Sequence, residues 1–151
     1  MGVYDLTFVL TAIAFNFLII GIFVASKHNR LDVSRRIGIV WLLLAIPLVI
    51  VFVRYWIVGK SLQVMVCFGV VFFYMFVEWL LDFVLKVDFR AKAITHVPYI
   101  ILEYAALFSL IVVAFTIDRT WGWIVTVAFW LLLASLIYLF VGKRKEGISN
   151  E

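Results

Sequence analysis

Glu78, Asp82, His96 and Glu103 are the residues of this sequence whose types and spacing could do chemistry. They lie in the stretch YMFVEWLLDFVLKVDFRAKAITHVPYIILEY, residues 74–104, with Tyr74 and Tyr99 alongside them. Carboxylates beside an imidazole suit a proton or cation site, and the same groups are legitimate ligands for a hard or borderline divalent metal. The pattern Glu-x3-Asp followed by His-x6-Glu matches no known metal-ligand spacing, and the Glu-x-x-His of di-iron carboxylate bundles is absent. No serine or cysteine stands beside a base as an activated nucleophile would. Cys67 precedes Glu78 by more than two helical turns and reads as a packing residue. These six residues are therefore candidates for ligand or ion binding rather than for catalysis, with the metal and any cofactor left open.

The elements that carry them are set by an oily composition. The chain has 151 residues, 67% hydrophobic and 15% charged, with a mean hydropathy of +1.19. A soluble domain is nearer 45–50% apolar and about 25% charged, so much of the apolar surface must face lipid. The expected fold is all-α: one transmembrane domain over 1–151, an up-down bundle of five spans at about 6–26, 37–58, 62–85, 93–117 and 120–142. Each is close to the roughly 20 apolar residues that cross a bilayer. Strands are excluded because an open sheet would leave backbone groups unpaired in lipid. Short connections make consecutive spans antiparallel neighbours.

Charge gives the orientation. Lys27, Arg30, Arg35, Arg36, Lys86, Arg90, Lys92, Lys143, Arg144 and Lys145 all fall on one side of a five-span chain, whereas the other side has only Arg54, Lys60 and Arg119. The positive-inside rule places the N-terminus outside and the C-terminus in the cytoplasm. The location expected is the plasma or cytoplasmic membrane, multi-pass. The net charge of +4 is explained by these flanks, so no nucleic-acid partner is implied. The N-terminal residues lack the basic start of a cleaved signal peptide. One cysteine excludes an intramolecular disulfide, and two histidines exclude multi-histidine metal boxes.

Depth then brings the polar residues together. Glu78 is sixteen residues into the third span, about 24 Å along its axis. Glu103, entering from the opposite side on the fourth span, reaches a comparable level about 14 Å in. Tyr74, Glu78 and Asp82 follow one helical stripe, and His96, Tyr99 and Glu103 share an arc of about 60°. A charged Asp at a span centre costs about 2.5–3.5 kcal/mol on insertion scales. Such acids must be protonated, paired or turned to a wet cavity.

The sequence thus reads as a small non-enzymatic membrane protein. It is expected to work as a homo-oligomer or beside a partner membrane subunit, with an acidic pocket between the third and fourth spans near the cytoplasmic face. A proton- or cation-coupled transporter or channel is the alternative; a membrane-embedded enzyme or a lipid- or quinone-binding protein comes third. On the outer side Arg54, with Asp5 and Asp118, forms a second charged group. Pro47 should kink the second span, Pro98 should sit in the first turn of the fourth, and Asn16 should bond to a neighbouring helix or line the polar site.

Overall fold

The computed structural model describes residues 2–28, 30–85 and 93–148. All regular structure among them is helical: α1 (Val3–Lys27), α2 (Leu31–Leu43), α3 (Ala45–Val58), α4 (Leu62–Trp79), which passes into a π-helical turn (Leu80–Leu85), α5 (Ala93–Ile117) and α6 (Arg119–Ile148). Five helices among the described residues are long and apolar enough to cross a membrane, with α2 and α3 counting as one. By length and composition, these five helices fit a multi-pass membrane protein.

Local chemistry accounts for the joints. Pro47 has no N–H to give Leu43, so the α-helical ladder is interrupted one turn ahead of it. Leu44 bonds back to the Trp41 carbonyl at 3.1 Å, and the regular ladder resumes with Leu48 bonding to Leu44 at 3.3 Å. The expected disturbance by Pro47 takes the form of a break at Leu44 between α2 and α3. α3 ends at Gly59, whose φ of 71° only glycine adopts without strain, while Lys60 N–H closes onto the Tyr55 carbonyl. Asp118 turns the chain between α5 and α6 by accepting the Thr120 N–H at 2.8 Å. Gly122, just beyond, lets α6 approach α5 closely: a Cβ there would run into the Phe115 ring. Pro98 differs from expectation. α5 begins at Ala93, so this proline lies in the second turn, where the apolar span itself starts.

Helix directions follow from pairs of side chains at the two ends. Tyr55, at the end of α3, donates to Asp5, at the start of α1. Lys27, at the end of α1, lies 2.9 Å from the centroid of the Tyr138 ring on α6 and bonds its carbonyl at 3.2 Å. α1 therefore runs against α3 and alongside α6, as the first and last spans of a five-span bundle must. α1 packs on α2, α3 and α6, α4 on α3 and α5, and α5 on α6, which closes the ring of helices.

The bundle is lined by one side of each helix. Phe8, Val9, Ala12, Phe15 and Ile19 of α1 meet Phe68, Val71, Tyr74 and Met75 of α4 and Ala106, Leu107, Leu110 and Ala114 of α5 in a single core. Large apolar side chains such as Trp56, Trp123 and Trp130 remain exposed at the outside, as surfaces bordered by lipid require. Of the three tryptophans in span interiors, only Trp41 points into the core; Trp79 and Trp130 face outward.

Candidate functional site

Glu78 sits on the core face of α4, and Glu103 on the core face of α5; they are 9% and 7% exposed. Both acids are turned inward, although either helix offers a lipid-facing side. Four residues before Glu78, one turn along α4, Tyr74 is buried on the same face, and four residues before Glu103 on α5, so is Tyr99.

The two helices are tied through these groups. The Tyr99 hydroxyl donates to Glu78 Oε2 in a short hydrogen bond, and the Tyr74 and Tyr99 hydroxyls are 3.2 Å apart. Their rings lie 5.9 Å apart, centroid to centroid. Both hydroxyls lie within the electrostatic field of Glu78 and of Glu103. The structure thus brings Tyr74, Glu78 and Tyr99 together, and Glu103 is buried one turn from Tyr99 on the core face of α5. The side chains of Asp82 and His96 lie outside the described residues.

A hydrogen bond from a phenol to a carboxylate is charge-assisted and stronger than one between neutral groups. It offsets part of the desolvation that a carboxylate suffers inside the bundle. Directly beyond Trp79 the helix widens into the π-helical turn. π-Turns are rare and concentrate at functional sites. This one departs, from Leu80 onward, from the α-helical spacing that an i, i+4 stripe assumes.

An aromatic wall closes the row on its other side. Trp41 of α2 meets Tyr74 nearly edge-on, with ring centroids 5.5 Å apart. Phe15 of α1 packs on Trp41 at 4.8 Å and on Tyr74 at 6.3 Å. Trp41 was not among the site residues expected from sequence. Nothing in the spacing of α2 shows that its buried face turns to α4. Asn16, next to Phe15, is buried and donates Nδ2 to the Ala12 carbonyl at 2.9 Å in its own helix.

Asp5, Arg54 and Asp118 have separate local partners. Asp5 accepts the Tyr55 hydroxyl at 2.7 Å and the Gly2 N–H at 2.8 Å. The Arg54 guanidinium lies 5.4 Å from the centroid of the Tyr4 ring, a cation–π distance. Asp118 caps α6. Asp5 and Arg54 thus meet neighbouring tyrosines across the α1–α3 contact, and Asp118 serves the turn between α5 and α6.

Among the described residues, no three His, Cys, Asp or Glu side chains come together as a metal-holding group. The groups that are assembled can exchange protons: one carboxyl and two phenols in series, with a second buried carboxyl nearby. Comparisons with protein-family models, with curated proteins and with solved structures give no match.

Proposed function

We propose that this chain is a small non-enzymatic protein of the cell membrane, with its N-terminus outside and its C-terminus in the cytoplasm. It works as a subunit or oligomer, and its buried site between the third and fourth spans takes up and releases a proton at Glu78. One observation carries this reading: Glu78 is held inside the bundle at the end of a row of hydroxyls, Tyr99 and Tyr74, rather than facing the lipid or the rim. The orientation rests on the positive flanks. Association is supported by the second span, which is only 17% buried within the chain, against 44% for the first.

Infrared difference spectra of the protein in lipid, between acidic and alkaline pH, test the site. A carboxyl stretching band that vanishes in Glu78→Gln is expected. A spectrum unchanged by that substitution would remove the proposal. Movement of the proton across the membrane is a second reading, favoured by the same row, because hydroxyls in series can pass a proton. Liposomes with an entrapped pH indicator separate the two. A proton flux lost in both Glu78→Gln and Glu103→Gln identifies transport, and proton uptake without flux identifies a site that senses or couples.

A further inference from the structure

Among the described residues, two buried side-chain polar atoms have no hydrogen-bond partner in the protein: Trp41 Nε1 and Asn16 Oδ1. Both residues are deeply buried, at 2% and 1% exposed. Trp41 packs directly on Tyr74 of the row, and Asn16 follows in sequence Phe15, which packs on Trp41 and on Tyr74. Buried polar atoms in folded proteins are paired with few exceptions, and where protein supplies no partner an ordered water commonly does.

The polarity of the row says what such a partner must be. Tyr99 gives its single hydroxyl proton to Glu78. The bond between the two tyrosines is then donated by Tyr74, which leaves the Tyr74 oxygen able only to accept. The Trp41 N–H can only donate, and Asn16 Oδ1 can only accept. A molecule that accepts from Trp41 and donates to both Tyr74 and Asn16 satisfies all three. It needs one acceptor oxygen and two protons. Ring contacts of 4.8 Å to Phe15 and 5.5 Å to Tyr74 leave no slot between Trp41 and either ring for a flat organic ligand, which would need about twice the ordinary 3.5–4.0 Å contact distance between its walls.

We propose that an internal water, held by the Trp41 indole and Asn16, extends Tyr74–Tyr99–Glu78 into one hydrogen-bonded chain of uniform direction ending at the Glu78 carboxylate. The inference rests on reading this row as the functional site, and it adds the path by which the proton arrives. A hydronium ion from the aqueous phase replaces the water. Its proton passes to Tyr74 as that of Tyr74 passes to Tyr99 and that of Tyr99 to Glu78. Three O–H bonds form and three break, both phenols stay neutral, and the products are water and a carboxylic acid.

The test is magnetic resonance of the 15N-labelled full chain in bicelles. The Trp41 indole proton, located by its disappearance in Trp41→Phe or by sequential assignment if that variant does not fold, should show a dipolar cross-peak with water. A visible Trp41 signal without that cross-peak overturns the proposal. Asn16→Leu gives an independent sign, because the two side chains are close in volume. If Oδ1 holds water, the unfolding midpoint falls; if Oδ1 is unsatisfied in the folded protein, removing it raises the midpoint and the proposal fails. Loss of the water with the Glu78-dependent infrared band intact would sink the chain and leave the proton site. Water present without that band would sink the site and leave the water.

Discussion

The two ends of α4 are equally buried and chemically opposite. Toward its start, Phe68 is ringed by Phe8, Phe52, Tyr55 and Phe72, with centroids 5.6–6.0 Å apart. Toward its end, Tyr74 and Glu78 meet Tyr99, Trp41 and Phe15. Aromatic packing is common to both. Only the second end buries the carboxylate along with its hydroxyls, and only there does the helix depart from α geometry into a π-turn. In lipid, helices are held by close packing as much as by anything else, so the Phe68 end shows what this bundle needs in order to fold. The Glu78 end has that and also carries a buried acid, which apolar packing by itself does not call for. That surplus is the reason to assign function to the second end.

The largest effect should come from breaking the packing end. Phe68→Ala removes the ring that four other aromatics touch, and it should lower unfolding stability by about 3–5 kcal/mol, measured by denaturant titration in mixed micelles. The Glu78 infrared band should survive in whatever fraction remains folded. A variant that folds normally yet loses the band would mean that the two ends are one unit. Next comes Tyr99→Phe, which keeps the ring and removes the hydroxyl that serves Glu78 and Tyr74 at once. Leaving a buried acceptor without its donor costs about 1–3 kcal/mol, and the Glu78 band should shift as its hydrogen bond is lost. Tyr74→Phe removes only the outer link of the row. It should cost less, about 0.5–1.5 kcal/mol, while cutting Glu78 off from the water proposed at Trp41. Slower proton uptake with nearly normal stability is the expected signature. Uptake at the wild-type rate would show that protons reach Glu78 by another route.

Much of the fold and part of the site are legible in the sequence. Span limits come from uninterrupted apolar runs and flanking cations, and the ends of α3 and α5 fall where those runs stop, whereas α4 gives way to the π-helical turn at Leu80, inside the expected third span. The meeting of Tyr74, Glu78 and Tyr99 follows from helical rise and consecutive antiparallel spans. Other features were not legible for physical reasons. The π-turn after Trp79 has no residue signature, since Leu80–Leu85 is as good an α-helix former as its neighbours. Trp41 joins the site from a helix that is not next to α5 in sequence, and the side of α2 that faces α4 depends on the joint at Leu44. The grip of Lys27 on Tyr138 joins residues 111 apart, which no local pattern encodes. Asn16 was recognisable as an unusual residue, whereas its unpartnered oxygen is a matter of packing.

The smallest predicted effect tests whether polarity at the first end is incidental. Tyr55 belongs to the Phe68 cluster through its ring and bonds Asp5 through its hydroxyl. On paper this is another tyrosine–carboxylate pair like Tyr99–Glu78. The surroundings differ. Asp5 is only partly buried, keeps the Gly2 N–H, and lies near Lys60. Bulk solvent can replace a lost phenol there. Tyr55→Phe should therefore cost at most about 1 kcal/mol, the low side of a net hydrogen bond, and leave the infrared band of Glu78 unchanged. The ratio of the Tyr99→Phe loss to the Tyr55→Phe loss measures how much burial, rather than the pair itself, distinguishes the two ends. Equal losses would mean that the Glu78 end is no more demanding than the lip of the bundle, and the surplus that marks it as functional would disappear.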